Sequence, residues 1–132
     1  MSQRPPPVQQ WHVAVARNDL SEVEPFLAED VVFMSPAVHM PQQGKPLVTR
    51  YLRAALVVLN TPSFRYVDEW LSPRSAVLEF EVELDGVHLN GIDLIRWNDA
   101  EQITTFKVMV RPLKGLNAIV PLMGEQLKKG DS

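Results

Sequence analysis

The pattern of apolar and polar positions divides the chain into a mainly helical first half and a stranded second half. Apolar residues recur at helical spacing over residues 8–17 and again, more regularly, over Lys45–Leu59. Between these two predicted helices, a short one capped by Ser21 fits the residues up to Leu27. Val31–Ser35 is rich in β-branched and aromatic residues, which favours a strand.

From Ser63 onward the apolar period changes from about 3.6 residues to about 2, which is typical of strands. The Asp85-Gly86 pair lies between two alternating segments and predicts the two-residue turn of a β-hairpin. The sequence therefore predicts an α+β domain that ends in an antiparallel meander and a helix. The predicted strands are Phe64–Leu71, Ser75–Leu84, Val87–Trp97 and Gln102–Arg111, and the terminal helix is Leu113–Lys129.

The hairpin turn also predicts which residues face each other, because a two-residue loop leaves a single register. In that register Leu78 pairs with Asp93 and Phe80 with Gly91, and a four-residue second loop would pair Asp93 with Phe106. One face of the predicted sheet then carries Asp93 in the middle of an apolar set. That set is Leu78, Phe80, Val82, Leu89, Ile95, Phe106, Val108 and Val110.

Asp93 is the residue whose predicted position needs an explanation, because a carboxyl group on an apolar face is costly unless it is paired or protonated. Burial would raise its pKa above the ~3.9 of a free Asp side chain. Two interpretations stay open. Asp93 is either a structural residue bonded to a tryptophan N–H or a backbone amide, or a pocket acid that exchanges a hydrogen bond with a ligand.

Composition narrows the classes of function. The chain of 132 residues has no Cys, which excludes thiol catalysis and thiolate metal sites. Its net charge of −3 argues against a nucleic-acid partner. No apolar run is long enough for a membrane span, and no signal peptide is visible. We therefore expect a cytoplasmic protein with one domain over residues 8–132, after a disordered proline-rich lead over residues 1–7.

The sequence contains no motif that is typical of a metal-binding or cofactor-binding site. The three His residues lack the spacing of metal ligands, and there is no phosphate-binding or dinucleotide-binding fingerprint. We therefore expect no metal and no cofactor. His39, in the loop after the first predicted strand, is the histidine best placed to border a pocket.

The order of elements resembles the NTF2-like superfamily, and more closely its SnoaL-like branch, which is related to the ketosteroid isomerases. The resemblance implies an α+β cone in which a curved antiparallel sheet wraps around the long helix and encloses a pocket. It does not imply one activity, because the superfamily includes isomerases, cyclases, dehydratases, epoxide hydrolases and non-catalytic binding modules. The segments that carry it are RNDL (17–20), EPFLAEDVVFMSP (24–36), GKPLVTRYLRAAL (44–56), NGIDLIRWNDAEQI (90–103) and FKVMVRPLKGLNAI (106–119).

Comparison with the ketosteroid isomerases implies roles for three positions. Their oxyanion-hole acid corresponds to Asp93, their partner tyrosine on the first helix to Trp11, and their catalytic base to Ser35. A serine hydroxyl cannot take up a proton from the substrate near neutral pH, so steroid isomerisation by that route is not expected. The candidate catalytic residues are Asp93, Ser35 and His39, and the candidate ligand-binding residues are Trp11, Phe33, Tyr51, Leu78, Phe80, Phe106 and Val108.

Two classes of function remain open at this point. One is an isomerase-, cyclase- or lyase-like enzyme that acts on a small hydrophobic carbonyl or ring compound, with Asp93 as acid or oxyanion donor. The other is a non-catalytic module for ligand binding or dimerisation. The expected partners are a small hydrophobic ligand and a second copy of the chain. The outer sheet face favours such a homodimer, because its row Asn90, Ile92, Leu94 and Met109 is too apolar for strands that face water.

Overall fold

The computed structural model describes residues 4–130 of the chain. This part of the chain forms three α-helices and one six-stranded sheet. The helices are α1 (Pro6–Arg17), α2 (Lys45–Leu59) and α3 (Leu113–Gly130). The strands are β1 (Leu27–Met34), β2 (Gln42–Gln43), β3 (Arg65–Ser72), β4 (Ser75–Leu84), β5 (Val87–Trp97) and β6 (Ile103–Arg111). None of the helices within residues 4–130 combines the length and apolar character needed to cross a bilayer.

The long central helix agrees with the sequence prediction, since α2 begins at Lys45 and ends at Leu59. Pro46 lies in the first turn, where a missing N–H costs no hydrogen bond. The bounds of β4 and β5 also agree with those predicted from the alternating pattern. Strong periodicity therefore predicted these three elements to the residue.

The short helix predicted after α1 is irregular, in agreement with the position of Pro25, and its predicted cap is wrong. Two 3-10 turns, Leu20–Glu22 and Glu24–Phe26, stand in its place. Asp19 and not Ser21 is the cap, because the Asp19 side chain accepts a hydrogen bond from the Ser21 backbone N–H at 3.0 Å. Pro25 explains the interruption, because its ring cannot donate the hydrogen bond that a continuous helix would need.

The sheet is curved and open, and its strand order is β2-β1-β6-β5-β4-β3. The predicted meander of four antiparallel strands forms β3 to β6. β1 adds to this meander in parallel beside β6, and the two-residue β2 pairs with β1. The sheet and the long helix α2 together confirm the α+β class and the wrapped arrangement.

The register of the first hairpin is confirmed, and that of the second is wrong by two residues. Leu78 pairs with Asp93 and Phe80 with Gly91, as expected. However, Asp93 pairs with Val108 instead of Phe106. One residue of this shift comes from the turn before β6, where the Asn98 side chain accepts backbone N–H bonds from Ala100 and Gln102 and so keeps Gln102 in the loop. The other comes from a bulge in the pairing of β5 with β6, between Arg96 and Trp97. Beyond the bulge the shift is two residues, which leaves Phe106, Val108 and Val110 on their predicted face.

The inner face of the sheet packs on the helices and forms the core. Asp93 is 5% exposed in the middle of this face. Its neighbours on the inner face are fully or nearly fully buried: Leu78, Phe80, Val82, Leu89, Ile95, Phe106 and Val108. The predicted arrangement of one carboxyl group in an apolar set is therefore present.

A β-bulge in β3 places two polar side chains on the same face of the sheet. Tyr66 pairs with Phe80, but the next paired residue is Asp68, which faces Glu79. Val67 is the extra residue, and it allows both Tyr66 and Glu69 to point to the inner face. The bulge thus brings a hydroxyl and a carboxylate toward α1.

The described part of the predicted proline-rich lead is placed against the domain. Pro6 and Pro7 form the first turn of α1, and Pro7 is buried. Arg4 forms an ion pair with Glu69 on β3 at 3.0 Å. Residues 1–3, which complete the predicted lead, lie outside the described residues.

Replacement of Gly91 tests how tightly the inner face is packed. A Cβ atom at this position would lie 2.5 Å from Phe80 Cζ and 2.7 Å from the Met109 carbonyl oxygen. We expect Gly91→Ala to lower the free energy of unfolding by about 1–3 kcal/mol, as overpacking does in a rigid core. Urea denaturation monitored by tryptophan fluorescence measures the change.

Gly124→Ala in α3 is the matched control for that substitution. A Cβ at Gly124 meets no atom within 4 Å, so alanine in this helix is expected to add about 0.5–1 kcal/mol of stability. Equal stability of the Gly91→Ala variant and the wild type would contradict the packing described for Phe80.

Candidate functional site

The inner face of the sheet, α1 and α2 enclose a narrow, mostly apolar cavity. The space between the lining side chains is about 370 Å³ including its opening to solvent, and about 30 Å³ of it can hold the centre of a water molecule. The cavity therefore has room for about one or two waters as it stands, and a ring-sized ligand requires side chains to move. Its lining is Trp11, Val15, Leu52, Ala55, Leu56, Leu59, Asn60, Phe64, Tyr66, Phe80, Asp93, Phe106 and Val108.

A chain of two hydrogen bonds crosses the polar end of this cavity. The indole N–H of Trp11 donates to the Tyr66 hydroxyl oxygen at 2.7 Å. The Tyr66 hydroxyl in turn donates to Asp93 Oδ2 at 2.6 Å. Each of the three side chains comes from a different element, so the site exists only when α1, β3 and β5 are assembled.

Local packing holds the outer members of the chain in place. Trp11 lies on the buried face of α1 and meets the edge of the Phe106 ring at a centroid distance of 4.7 Å. Asp93 lies between its cross-strand partners Leu78 and Val108. Neither neighbour offers a polar side chain, so the Tyr66 hydroxyl is the side-chain hydrogen-bond donor that the structure gives the Asp93 carboxyl group.

Burial sets the protonation behaviour of this pair. Desolvation raises the pKa of Asp93 from 3.8 to about 7, against the opposing effects of the Tyr66 hydroxyl and of the nearby Trp11 indole N–H. Burial also raises the pKa of Tyr66 well above its ordinary value, and the nearby Asp93 charge adds to this effect. Near neutral pH the site therefore holds a neutral phenol beside a carboxyl group that is present in both protonation states.

The sequence-predicted lining residues divide into two groups. Trp11, Phe80, Asp93, Phe106 and Val108 line the cavity, whereas Phe33, Tyr51 and Leu78 do not. Phe33 and Leu78 are fully buried in the core, and Tyr51 packs on Phe33 at a centroid distance of 5.9 Å. These three side chains fill the sheet and helix interface instead of bordering open space.

The structure does not bring Ser35 and His39 together with Asp93. Both line a separate, open groove beside the loop that follows β1. Val108 borders this groove and the cavity, so it forms part of the wall between them. The Ser35 hydroxyl oxygen accepts a hydrogen bond from the Ala37 backbone N–H at 3.1 Å, which forms a turn at the start of the loop after β1. The expectation that these residues share a pocket with Asp93 is corrected on this geometry.

Tyr66 is the site residue that sequence reasoning missed. If the pairing of Ser72 with Ser75 continued without interruption, Val67 would face Phe80 and Tyr66 would lie on the outer face. Only the bulge at Val67 reverses this direction. Alternation in the sequence carries no signal for such a bulge, because Val67 is as good a strand residue as its neighbours.

Across residues 4–130, no cluster of three or more His, Asp or Glu side chains is arranged to hold a metal ion. The chemistry that this site can perform with its own residues is hydrogen bonding at Asp93 and Tyr66 and proton transfer at Asp93.

The raised pKa of Asp93 predicts a specific dependence of stability on pH. The folded chain holds a proton at Asp93 that the unfolded chain releases between pH 3.8 and about 7. The free energy of unfolding therefore loses up to a few kcal/mol from this residue as pH rises through that window. We expect Asp93→Asn to remove this loss, as measured by urea denaturation at pH 5 and pH 8 for both proteins. An identical pH dependence in the two proteins would show that Asp93 does not titrate in this range.

Comparison with known proteins places this geometry in a family. The family model described as a SnoaL-like domain matches residues 8–106. A comparison with curated proteins gave no match. Among solved structures, the chain is similar to a steroid delta-isomerase from Pseudomonas aeruginosa, with 40% identity, coverage of 93% of this chain and 90% of that one, and a TM-score of 0.88.

Two further structures extend the comparison. An uncharacterised protein with a cystatin-like fold from Silicibacter pomeroyi DSS-3 is 30% identical over 92% of this chain and 85% of its own, with a TM-score of 0.85. An NTF2-like protein of unknown function from Cytophaga hutchinsonii ATCC 33406 shares the fold at 15% identity, with coverage of 87% and 97% and a TM-score of 0.63. The chain belongs to the SnoaL-like family and has an NTF2-like fold.

Proposed function

We propose that this protein is an isomerase-type enzyme that binds a small hydrophobic carbonyl or ring compound in the cavity beside Asp93. The observation that carries the proposal is a carboxyl group 5% exposed in an apolar cavity, with the Tyr66 hydroxyl 2.6 Å from it. An apolar pocket with a few convergent polar groups is the usual form of a small-molecule site. The similarity to a steroid delta-isomerase supports isomerase-type chemistry.

Asp93 acts in this proposal as the acid that donates to the ligand oxygen. A protonated carboxyl group in a desolvated cavity is a strong hydrogen-bond donor to a carbonyl or to the oxyanion that develops from it. Its pKa of about 7 lets the same group release and regain a proton near neutral pH. Tyr66, whose phenol stays neutral, donates its one O–H to Asp93 Oδ2, which leaves the other carboxyl oxygen to carry the proton that is offered to the ligand.

A non-catalytic ligand-binding module is the alternative, and one observation favours it. Among residues 4–130, Asp93 and Tyr66 are the only ionisable side chains that line the cavity. Ser35, which the resemblance aligns with a catalytic base, provides no base and lies in the separate groove. Measured turnover decides between the two functions.

Binding of 2-cyclohexen-1-one tests the acid assignment. We expect the NMR signal of its ¹³C-labelled carbonyl to move downfield on binding, because the carbonyl accepts hydrogen bonds. Donation requires protonated Asp93, so affinity should fall about tenfold per pH unit above the pKa of about 7. Asp93→Asn and Tyr66→Phe should each weaken binding by about tenfold, and Asp93→Asn should also remove the pH dependence.

Asp30→Asn is the control, because Asp30 is an exposed carboxylate on β1. It should leave affinity and its pH dependence unchanged, as should Ser35→Ala and His39→Ala. Isomerisation of 3-cyclohexen-1-one to the conjugated ketone, followed by NMR and lost in Asp93→Asn, supports the enzyme. Binding without such turnover favours the module, and pH-independent binding contradicts the acid role.

We also propose that two copies of the chain pair through the outer face of the sheet. The helices pack on the inner face, and the outer face carries apolar side chains that no described element covers. Met109 is 49% exposed and Trp70 53% exposed, and Ile92 and Leu94 lie half-buried between them. Acidic residues on β4 and basic residues on β5 and β6 give this face charges that complement each other across a two-fold axis. They are Glu79, Glu81 and Glu83 on β4, and Arg96, Lys107 and Arg111 on β5 and β6.

Sedimentation of variants tests this pairing. We expect the wild type to be a dimer at concentrations on the order of tens of micromolar. Met109→Glu should shift it toward monomer, because the introduced carboxylate loses its hydration in the interface. Val120→Glu adds the same charge at an exposed apolar position of α3 and should stay dimeric. A wild type that sediments only as a monomer contradicts the proposal.

A further inference from the structure

His12 follows Trp11 on α1 and contacts the same tyrosine. Its ring meets the Tyr66 ring edge-on, with the centroids 5.0 Å apart and the planes at 73°. His12 Nε2 lies 2.7 Å from Glu69 Oε1, and the histidine side chain is 16% exposed. The carboxylate can only accept, so the imidazole N–H is the donor in this pair.

Glu69 connects this histidine to the chain that precedes α1. Its two carboxylate oxygens accept hydrogen bonds from the Arg4 Nε–H at 3.1 and 3.0 Å. Glu69 lies opposite Leu78 on the inner face, and the bulge in β3 brings Tyr66 to the same face. One carboxylate on the edge strand therefore holds two groups from the N-terminal segment.

We propose that His12 and Glu69 are positioning residues that hold the Tyr66 ring where its hydroxyl bridges Trp11 and Asp93. This inference rests on the proposed function in one respect, which is that Asp93 is the group that binds the ligand. Phe64 and Phe80 also flank the Tyr66 ring edge-on, but neither carries a polar group that a hydrogen bond holds in place. The imidazole is itself oriented by a charged hydrogen bond, so it provides a fixed surface for the ring.

The proposal requires that His12 acts through Tyr66 and not on Asp93 directly. No hydrogen bond or ion pair joins His12 to Asp93 among the described residues. Burial lowers the pKa of His12, the Glu69 hydrogen bond and charge oppose this, and Arg4 adds to the lowering. The ring is therefore neutral at pH 8, and its removal at that pH changes no charge near Asp93. A change in Asp93 acidity would then report a change in the Tyr66 hydrogen bond.

The test is a pKa measurement at Asp93 by NMR of the ¹³C-labelled carboxyl group in four intact proteins. They are the wild type, Tyr66→Phe, His12→Ala and the double variant. Loss of the tyrosine hydrogen bond removes a group that favours the charged form, so Tyr66→Phe should raise the Asp93 pKa by about one unit. His12→Ala should raise it by about half a unit, and the double variant should match Tyr66→Phe alone.

Two outcomes overturn the proposal. One is a His12→Ala protein whose Asp93 pKa equals that of the wild type. The other is a His12 effect of the same size in the Tyr66→Phe background, which would show that it does not pass through the tyrosine. If His12→Ala does not fold, His12→Leu takes its place, because leucine has a similar volume and no N–H.

Two further variants separate positioning from charge. Glu69→Gln keeps an oxygen that can accept from His12, so it should not raise the Asp93 pKa, and a rise would contradict positioning by that hydrogen bond. His88→Ala is the matched control, because His88 Nε2 lies 2.9 Å from Glu81 on the outer face. It should leave the Asp93 pKa unchanged. The titration needs no ligand, so failure of the proposed carbonyl binding and failure of this inference are distinguishable.

Discussion

The burial of the Asp93 carboxyl group is the constraint on which the rest of the site depends. A carboxyl group between Leu78 and Val108 has lost its hydration and must be protonated or bonded. The structure provides one side-chain donor, the Tyr66 hydroxyl, and holds that donor with the Trp11 indole. The two hydrogen bonds from Trp11 to Tyr66 and from Tyr66 to Asp93 therefore connect α1 and the edge strand β3 to β5 in the middle of the sheet.

The same desolvation that costs stability keeps a fraction of the Asp93 carboxyl groups protonated near neutral pH. Transfer of the ionised form into the cavity is unfavourable, so the pKa rises to about 7 and the neutral acid persists at a pH where ordinary aspartates are ionised. The free energy of desolvating the Asp93 carboxylate has two effects. It lowers the stability of the fold when Asp93 ionises, and it favours the protonated form that can donate a hydrogen bond. A perturbed acid of this kind at a cavity wall is typical of functional sites.

Membership in the SnoaL-like family leaves the reaction open, because function in such folds depends on the groups that line the cavity. In this chain the lining has Asp93 and Tyr66 at one end and apolar side chains over most of the rest. Ser35 stands where the resemblance places a catalytic base, and the loop after β1 carries it to the other side of Val108. The proposed chemistry therefore depends on donation to an oxygen more than on a strong base.

Local signals in the sequence were sufficient to predict the elements that have strong periodicity. The stripe of α2 and the alternation of β4 and β5 determined their bounds, and Asp85-Gly86 determined the register that sets Asp93 opposite Leu78. The inward direction of Asp93 followed from that register, since side chains alternate strictly along a strand. A short turn and an alternating pattern each depend on interactions among residues close together in the chain. The register and the direction of Asp93 can therefore be predicted from the local sequence.

Tertiary structure decided the features that depend on contacts between distant segments. The parallel addition of β1 to β6 joins segments far apart in the chain. The two-residue shift between β5 and β6 comes from the turn that Asn98 lengthens and from a bulge between Arg96 and Trp97. The bulge at Val67 determines that Tyr66 faces Asp93, although the strand sequence by itself favours the opposite direction. One inserted residue reverses the direction of the side chains beyond it and costs little free energy locally. The position of the bulge therefore depends on the packing of β3 against β4 and α1.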